Sequence, residues 1–244
     1  MSKVLCIPDS HLKISVIEHG LKLAKKHRAD TIVLLGDYFD DWESEDAKYL
    51  EMLDYLKKLL RFNPSVVPLL GEHELGYIGF PCPGKNTSVE SQLHHALFTD
   101  QRFLFGVGID GVFYSHAGVC VQWLKDNHLI TQNDLRLKLV GRAGATLLEN
   151  IFNKIERFDV FYEVGPKAGG KNAPSPVWAP LSDLIADAPP VKQVVGHTPV
   201  SQIEKIDKIW FTDVFSHDSD CDEYLFVVDG EPEVLHYNEE FEYE

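Results

Sequence analysis

Short apolar runs alternate with amphipathic stretches through the first third of the chain. Val4 to Ile7 is apolar at every position, as expected of a strand buried on both faces. Ile14, Ile17, Leu21 and Ala24 then recur at helical spacing, and Thr31 to Leu35 reads as a second buried strand. Tyr49, Leu53, Leu56 and Leu60 form the stripe of a second helix whose other face is charged. Val66 to Leu70 is a third strand, and Pro68 within it, having no N–H to give a ladder, predicts an edge or a bulge. This βαβαβ alternation implies parallel strands with right-handed crossovers.

The pattern then changes. Pro81-Cys82-Pro83-Gly84 is a loop, and Thr87-x-x-Glu90 predicts a capping box opening a helix to about Phe98. Phe103–Ile109 and Val112–Ser115 flank Asp110-Gly111, a two-residue hairpin signal that returns as Asp229-Gly230. Thr131-x-x-Asp134 is a candidate helix start, with apolar residues through Ile155 and Gly141 and Gly144 weakening the middle. The stretch 166–180 is rich in Pro and Gly and reads as a long loop. Val191–Val195, Ile209–Phe211, Leu225–Val228 and Val234–His236 are further strands. No linker or repeat interrupts residues 1–244, so one α/β domain is expected, its parallel strands first and antiparallel ones later.

Candidate chemistry gathers where strands end. The first three run into Pro8-Asp9-Ser10-His11, Gly36-Asp37-Tyr38-Phe39-Asp40 and Gly71-Glu72-His73-Glu74; later ones run into Ser115-His116-Ala117-Gly118 and Gly196-His197-Thr198-Pro199. In open α/β sheets ligands collect at the carboxyl ends of strands. On an extended segment residues i and i+2 point the same way, so Asp9 and His11 can share one ion. Singly each fragment is weak: Asp37 could be an N-cap, and a lone His is more often a core residue. Five in order are hard to ascribe to chance. Asp9, His11, Asp37, His116 and His197 are therefore the main candidates, joined by Asp40 and His73. Glu74, His19, His27, His94, His95 and His217 read as surface or helix residues.

Composition narrows the picture. With 44% hydrophobic and 25% charged residues the 244-residue chain is globular, neither disordered nor fibrous. No apolar run reaches membrane-spanning length, and the N-terminal segment lacks the features of a signal peptide. The four scattered cysteines (Cys6, Cys82, Cys120, Cys221) argue for a reducing compartment, the cytoplasm, and against a cysteine-built zinc site. A formal charge of −15 disfavours non-specific nucleic-acid binding, although a bound metal would reverse the field locally for a small phosphorylated substrate.

The ordered set D-x-H, G-D-x-x-D, G-[N]-H-[DE], a later His and Gly-His-Thr-Pro resembles the calcineurin-like metallophosphoesterase superfamily, nearest its bacterial and phage serine/threonine phosphatase and diadenosine tetraphosphatase branch. The resemblance implies a four-layer αββα sandwich of two mixed β-sheets flanked by helices. It implies two divalent ions, Mn, Fe or Zn with Mn favoured. Asp9, His11 and Asp37 would hold the first; Asp37 would bridge to the second, held also by Glu72, His116 and His197. Asp40 and His73 match the pair in which a carboxylate orients an imidazole that protonates the leaving oxygen.

The implied activity is hydrolysis of phosphomonoesters, phosphoserine and phosphothreonine among the candidates, by a hydroxide held between the metals. Alternatives are a nucleotide substrate (a dinucleotide polyphosphate or cyclic nucleotide, stacked on Tyr38, Phe39, Tyr77, Phe80 or Trp178) and a catalytically weakened binding protein. The last arises because Glu72 stands where the family has Asn. Asp41 and Leu70 likewise stand where related phosphatases place phosphate-gripping arginines, leaving Arg142, Lys167 and Lys171 as candidate cations.

Overall fold

The structure is a computed structural model that describes residues 2–41, 45–80, 82, 84–99, 102–131, 133, 134, 139–216 and 220–241. Two five-stranded sheets face each other. The first has the order β10-β9-β1-β2-β3, from β1 (Lys3–Ile7), β2 (Thr31–Leu34), β3 (Val66–Pro68), β9 (Glu223–Val228) and β10 (Glu231–His236). The second has the order β4-β5-β6-β8-β7, from β4 (Gly106–Ile109), β5 (Val112–Ser115), β6 (Lys192–Val195), β7 (Glu204–Ile206) and β8 (Ile209–Phe211).

Strand alternation builds the layers. Val4 and Cys6 of β1, Val33 of β2 and Leu225 and Val227 of β9 point inward to meet Val112 and Tyr114 of β5, Val194 of β6 and Trp210 of β8. Their neighbours Leu5, Ile7, Ile32, Leu34 and Phe226 point outward into a second apolar layer covered by helices. Those helices include α1 (Ile14–His27), which buries Val16, Ile17, Leu23 and Ala24, and α2 (Asp46–Phe62), which buries Tyr49, Leu53, Leu56 and Leu60. Because both faces of each central strand are buried, the strands read as continuous apolar runs. The expected αββα sandwich of two mixed sheets is what forms.

The pairing refines the expected topology. β1, β2 and β3 are parallel, as read. In the second half, however, β5, β6 and β8 are also parallel, with antiparallel β4 and β7 at the edges. The β9–β10 hairpin returns to the first sheet, antiparallel to β1. Hairpin signals identify only local antiparallel pairs; they say nothing of which sheet a distant strand joins. Pro68 does lie in an edge strand, its carbonyl bonded by the Leu104 N–H at 3.0 Å. Both Asp-Gly turns adopt positive φ at both residues (47° and 86°; 52° and 81°), the primed geometry that matches strand twist.

Residues 72–77 fold into a short helix, α3 (Glu72–Tyr77), directly after the third strand. Two local expectations change. The next helix, α4 (Glu90–Thr99), starts at Glu90, whose carboxylate takes the Lys85 ammonium at 2.7 Å, so Thr87 is not its N-cap. The region after residue 130 opens on a reciprocal Thr131–Asp134 cap, and α6 (Gly141–Phe152) follows α5 (Val121–Asp126). Residues 158–162 and 166–168 make 3-10 turns within the long loop before α7 (Leu181–Asp187), and α8 (Tyr237–Phe241) packs against α1. Among the described residues no helix is long and apolar enough to cross a membrane. No disulfide joins the four cysteines.

Between the sheets the Tyr114 hydroxyl is buried without a hydrogen-bond partner among the described residues. Such a group costs free energy that its ring recovers by packing. Tyr114→Phe is expected to keep or raise stability by up to ~1 kcal/mol, whereas Tyr114→Ala loses ~3–5 kcal/mol in urea unfolding. A clear loss in Tyr114→Phe would mean that the hydroxyl is bonded after all.

Candidate functional site

The carboxyl ends of β1, β2 and β3 in one sheet and of β5 and β6 in the other deliver polar side chains to one edge of the sandwich. Asp9, Asp37, Asp40, Glu72 and His116 are buried there; His11, His73 and His197 are half-buried. Asp37 is the centre. Its Oδ2 lies 3.4 Å from His116 Nε2, and 3.9 Å from both His11 Nε2 and His73 Nε2. Its Oδ1 accepts the His73 backbone N–H at 3.2 Å. Glu72 reaches the far side, with Oε2 2.5 Å from His116 Nε2 and Oε1 2.9 Å from His197 Nδ1. Asp9 accepts the His197 backbone N–H at 3.0 Å and faces His116 Nδ1 at 3.8 Å.

Backbone geometry makes this convergence possible. Asp37, Asp40, His11 and His197 all adopt left-handed φ, sparsely populated for residues with a Cβ and typical of functional loops. At Gly196 a Cβ would sit 2.0 Å from Asp9 Oδ2, and at Gly71 one would sit 2.1 Å from Asp37 Oδ1. Only glycine lets these carboxylates lie against the neighbouring strand end.

Asp9 and His11 fall in different triads of potential ligands that share Asp37, and an extended D-x-H step is not what places them. His11 has φ 40°, so the alternation of an extended strand stops before it. Potential ligand atoms fall into the triads Asp9–Asp37–His116, His11–Asp37–His73, Glu72–His116–His197 and Asp40–His73–Cys82, with Asp37 common to the first two. Asp40 and His73 do meet as expected, Oδ2 to Nδ1 at 2.9 Å. Tyr77 supports them by donating its hydroxyl to the other Asp40 oxygen.

The donor set fits cations. His116 Nδ1 lies 2.8 Å from the Leu35 carbonyl, and His11 Nδ1 lies 2.9 Å from that of Asp40. A carbonyl only accepts, so each Nδ1 carries the proton and each Nε2 turns a lone pair toward carboxylate oxygens. Lone pairs so placed repel unless a proton or metal ion lies between them. His197 Nδ1 lies 2.9 Å from Glu72 Oε1 but is not aligned with it as a hydrogen bond. Burial opposes charge on His116, yet Asp37, Glu72 and Asp9 outweigh it and raise its pKa well above the ordinary imidazole value. Burial also opposes charge on Glu72, but His197 and His116 hold that carboxyl well below its usual range. The field that holds a proton on His116 is the field a metal would answer.

Several expectations are corrected. Glu74 is a helix residue of α3 but fully buried, and it supports the site: its carboxylate accepts the backbone N–H groups of Asp37 (2.8 Å), Tyr38 (2.9 Å) and Gly71 (2.9 Å). Burial and then Asp37 push its carboxyl up to about 7 against those donors. Asp213 follows β8 and is buried; burial first, and then the negative charge of Asp213, raises the pKa of Asp9. Only the Asp after an apolar run signalled it. Arg142 pairs with Asp110 at the hairpin end of the second sheet, opposite the site, and Lys167 pairs with Asp183 at 2.6 Å. Lys171 lines a separate depression with Asp159 and Tyr162. Tyr38, Phe39 and Tyr77 belong to the core and offer no face to a base. Trp178 stands edge-on to His197 with ring centres 6.4 Å apart, and Phe80 stacks on Tyr162. His19 and His27 lie on α1, His94 and His95 on α4, as read; His217 lies outside the described residues.

Comparison with known proteins is consistent with this geometry. The family model for calcineurin-like phosphoesterases matches residues 2–234. Among solved structures, a mutant of a cold-active protein tyrosine phosphatase is similar at a TM-score of 0.62 and 16% identity, covering 98% of this chain and 78% of that one. The cold-active protein-tyrosine phosphatase of a psychrophilic Shewanella species gives 0.55 at 16%, with the same coverages. A putative diadenosine tetraphosphatase gives 0.51 at 13%, covering 96% and 93%. No curated protein matches.

Glu74 generates a prediction. Glu74→Ala strands three buried N–H donors and is expected to cost about 3 kcal/mol or more in denaturant unfolding. Glu74→Gln, which keeps one oxygen acceptor, should cost less. Equal, small losses in both would mean that the three donors find other partners.

Proposed function

The chain belongs to the calcineurin-like phosphoesterase family, and from that premise we propose that it is a metal-dependent hydrolase of phosphomonoesters. The observation that carries this reading is the Asp37 carboxylate, common to two triads of potential ligands. Asp9, His11 and Asp37 would hold one divalent ion, and Asp37, Glu72, His116 and His197 a second. Mixed carboxylate and imidazole donors without thiolate suit Mn, Fe or Zn, and we favour Mn. Such a pair of ions supplies charge neutralisation for the transferring phosphoryl group and lowers the pKa of water.

The protein's own residues would do the rest. Asp40, fixed by Tyr77, holds His73 Nδ1 and so aims Nε2 into the site, where it can deliver a proton to the departing alkoxide. Burial opposes charge on His73, but Asp37 and the bond to Asp40 raise its pKa well above the ordinary value, keeping it in the acid form that this role needs. His116 and His11 are oriented by their carbonyl partners. The position of Glu72 against both His116 and His197 supports ligation by its carboxylate rather than loss of that site. Four cysteines without a disulfide are compatible with cytoplasmic residence. A second reading, a nucleotide substrate, draws on Trp178, half-buried beside His197.

The purified protein is expected to cleave p-nitrophenyl phosphate with Mn²⁺ and to lose activity with chelator. Asp37→Asn should lower kcat/KM by at least ~100-fold and reduce bound metal below that of the native protein. No turnover of any mono-, di- or dinucleotide ester by metal-loaded protein would overturn the proposal. A higher kcat/KM for diadenosine tetraphosphate than for phosphopeptides would favour the nucleotide reading.

A further inference from the structure

A pocket of about 200 Å³ opens over the His73 side of the site, lined by His11, Lys13, Asp40, Asp41, His73 and Ser216. Among these described residues Lys13 is the one with a permanent positive charge. We infer that Lys13 is the substrate-binding cation of this protein, gripping the phosphoryl oxygens of a dianionic phosphomonoester from a different position than the arginines of related phosphatases. The inference rests on the proposed phosphoesterase reading and deepens it by selecting monoesters over diesters.

Three observations carry it. First, Lys13 is held in place. Its Nζ donates to the Phe215 carbonyl at 2.7 Å, which uses one of three ammonium hydrogens and, among the described residues, leaves the other two for a ligand. Its backbone belongs to the loop that places His11. Ser10 and His11 N–H groups bond the Asp37 carbonyl, Leu12 N–H bonds that of Tyr38, and Lys13 N–H bonds that of Ser10. His11 and Leu12 are both left-handed, at φ 40° and 64°, a turn that brings Lys13 back over the pocket before α1 begins. Lys13 and His11 therefore share one rigid support.

Second, the alternatives are occupied or distant. Arg142 and Lys167 are paired with carboxylates away from the pocket, and the sequence has buried Leu70 and acidic Asp41 at the positions of the family arginines.

Third, the charge balance calls for it. Glu72 in place of a neutral Asn adds a negative charge to Asp9 and Asp37, so two divalent ions would leave a smaller net positive charge for the incoming ester. A phosphomonoester brings two negative charges and a diester one. An ammonium at the pocket wall offsets the second charge of the monoester, with charge-assisted hydrogen bonds to its oxygens.

The test uses the full chain loaded with Mn²⁺, comparing native protein with Lys13→Met and Lys13→Arg. Metal content is measured in each, since a bound-metal level equal to native shows that the fold and ligands are intact. Steady-state kinetics on p-nitrophenyl phosphate and bis(p-nitrophenyl) phosphate are paired with calorimetric titration of inorganic phosphate. Lys13→Met should raise KM for the monoester and Kd for phosphate about 10-fold or more, with the monoester loss in kcat/KM exceeding the diester loss at least about fivefold. Lys13→Arg should recover most of both. Unchanged phosphate affinity, or equal losses on both esters, overturns the role of Lys13 while leaving the phosphoesterase reading intact. Native metal-loaded protein that hydrolyses neither ester overturns that reading and this inference with it.

Discussion

Everything at this site depends on holding buried carboxylates close together. Asp9, Asp37, Asp40, Glu72, Glu74 and Asp213 are buried at one edge of the sandwich. Removing a charge from water is expensive unless partners replace its hydration, and like charges in a low-dielectric interior add to the cost. The partners divide into two kinds. Backbone N–H groups serve Glu74, Asp9 and one oxygen of Asp37. Imidazoles serve Glu72, Asp40 and the other oxygen of Asp37. Backbone donors are fixed dipoles that stay in place whether or not the carboxyl they face is protonated, as at Glu74, which burial and Asp37 push up to about 7. Imidazoles exchange a proton for a metal, suited to an anion whose counter-ion must come and go.

This division gives Asp37 its place. Its carbonyl ties down the loop after β1, its N–H is bonded by Glu74 of α3, and its carboxylate faces histidines from three strand ends. It does so at φ 51°, a conformation costing a residue with a Cβ roughly 1 kcal/mol or more. The cost is tolerated because the strand before it is locked between the second sheet and the helical layer. Val33 and Leu35 face the inter-sheet layer, while Ile32 and Leu34 face the helical layer. The apolar sandwich is thus the stiff frame that forces repelling groups to meet.

What could be read in the sequence follows from this frame. Strand ends were legible because strands buried on both faces are apolar runs that stop abruptly at Asp9, Asp37, Glu72, His116 and His197. Pro68 told its edge position through a missing donor, and the Asp-Gly pairs told their turns through positive φ. Three things were hidden, each for a physical reason. The mutual position of Asp9 and His11 depends on a left-handed φ that no residue type announces. The burial of Glu74 depends on donors from residues 37 and 38, far away in sequence. The parallel pairing of β5, β6 and β8 depends on connections, through helices from β5 to β6 and through β7 from β6 to β8, that do not announce which strands pair, and with it the approach of Asp213 to Asp9 is hidden.

Electrostatics at two ranges then bears on the choice of substrate. The chain carries a formal charge of −15, a field that repels anions at a distance and is screened beyond about 8 Å at physiological ionic strength. Repulsion of this kind grows with the charge of the ligand, so a dinucleotide polyphosphate or a nucleic acid meets more of it than a small phosphomonoester. Inside the screening distance the sign must reverse for any phosphate to bind, and reversal can come only from groups at the site itself. In the proposed reading those are the metal ions together with Lys13. A short-range attraction set inside a long-range repulsion admits a compact dianion more readily than an extended polyanion. That weighs toward the monoester reading, since Trp178 beside His197 would have to recover by stacking what a nucleotide loses on approach.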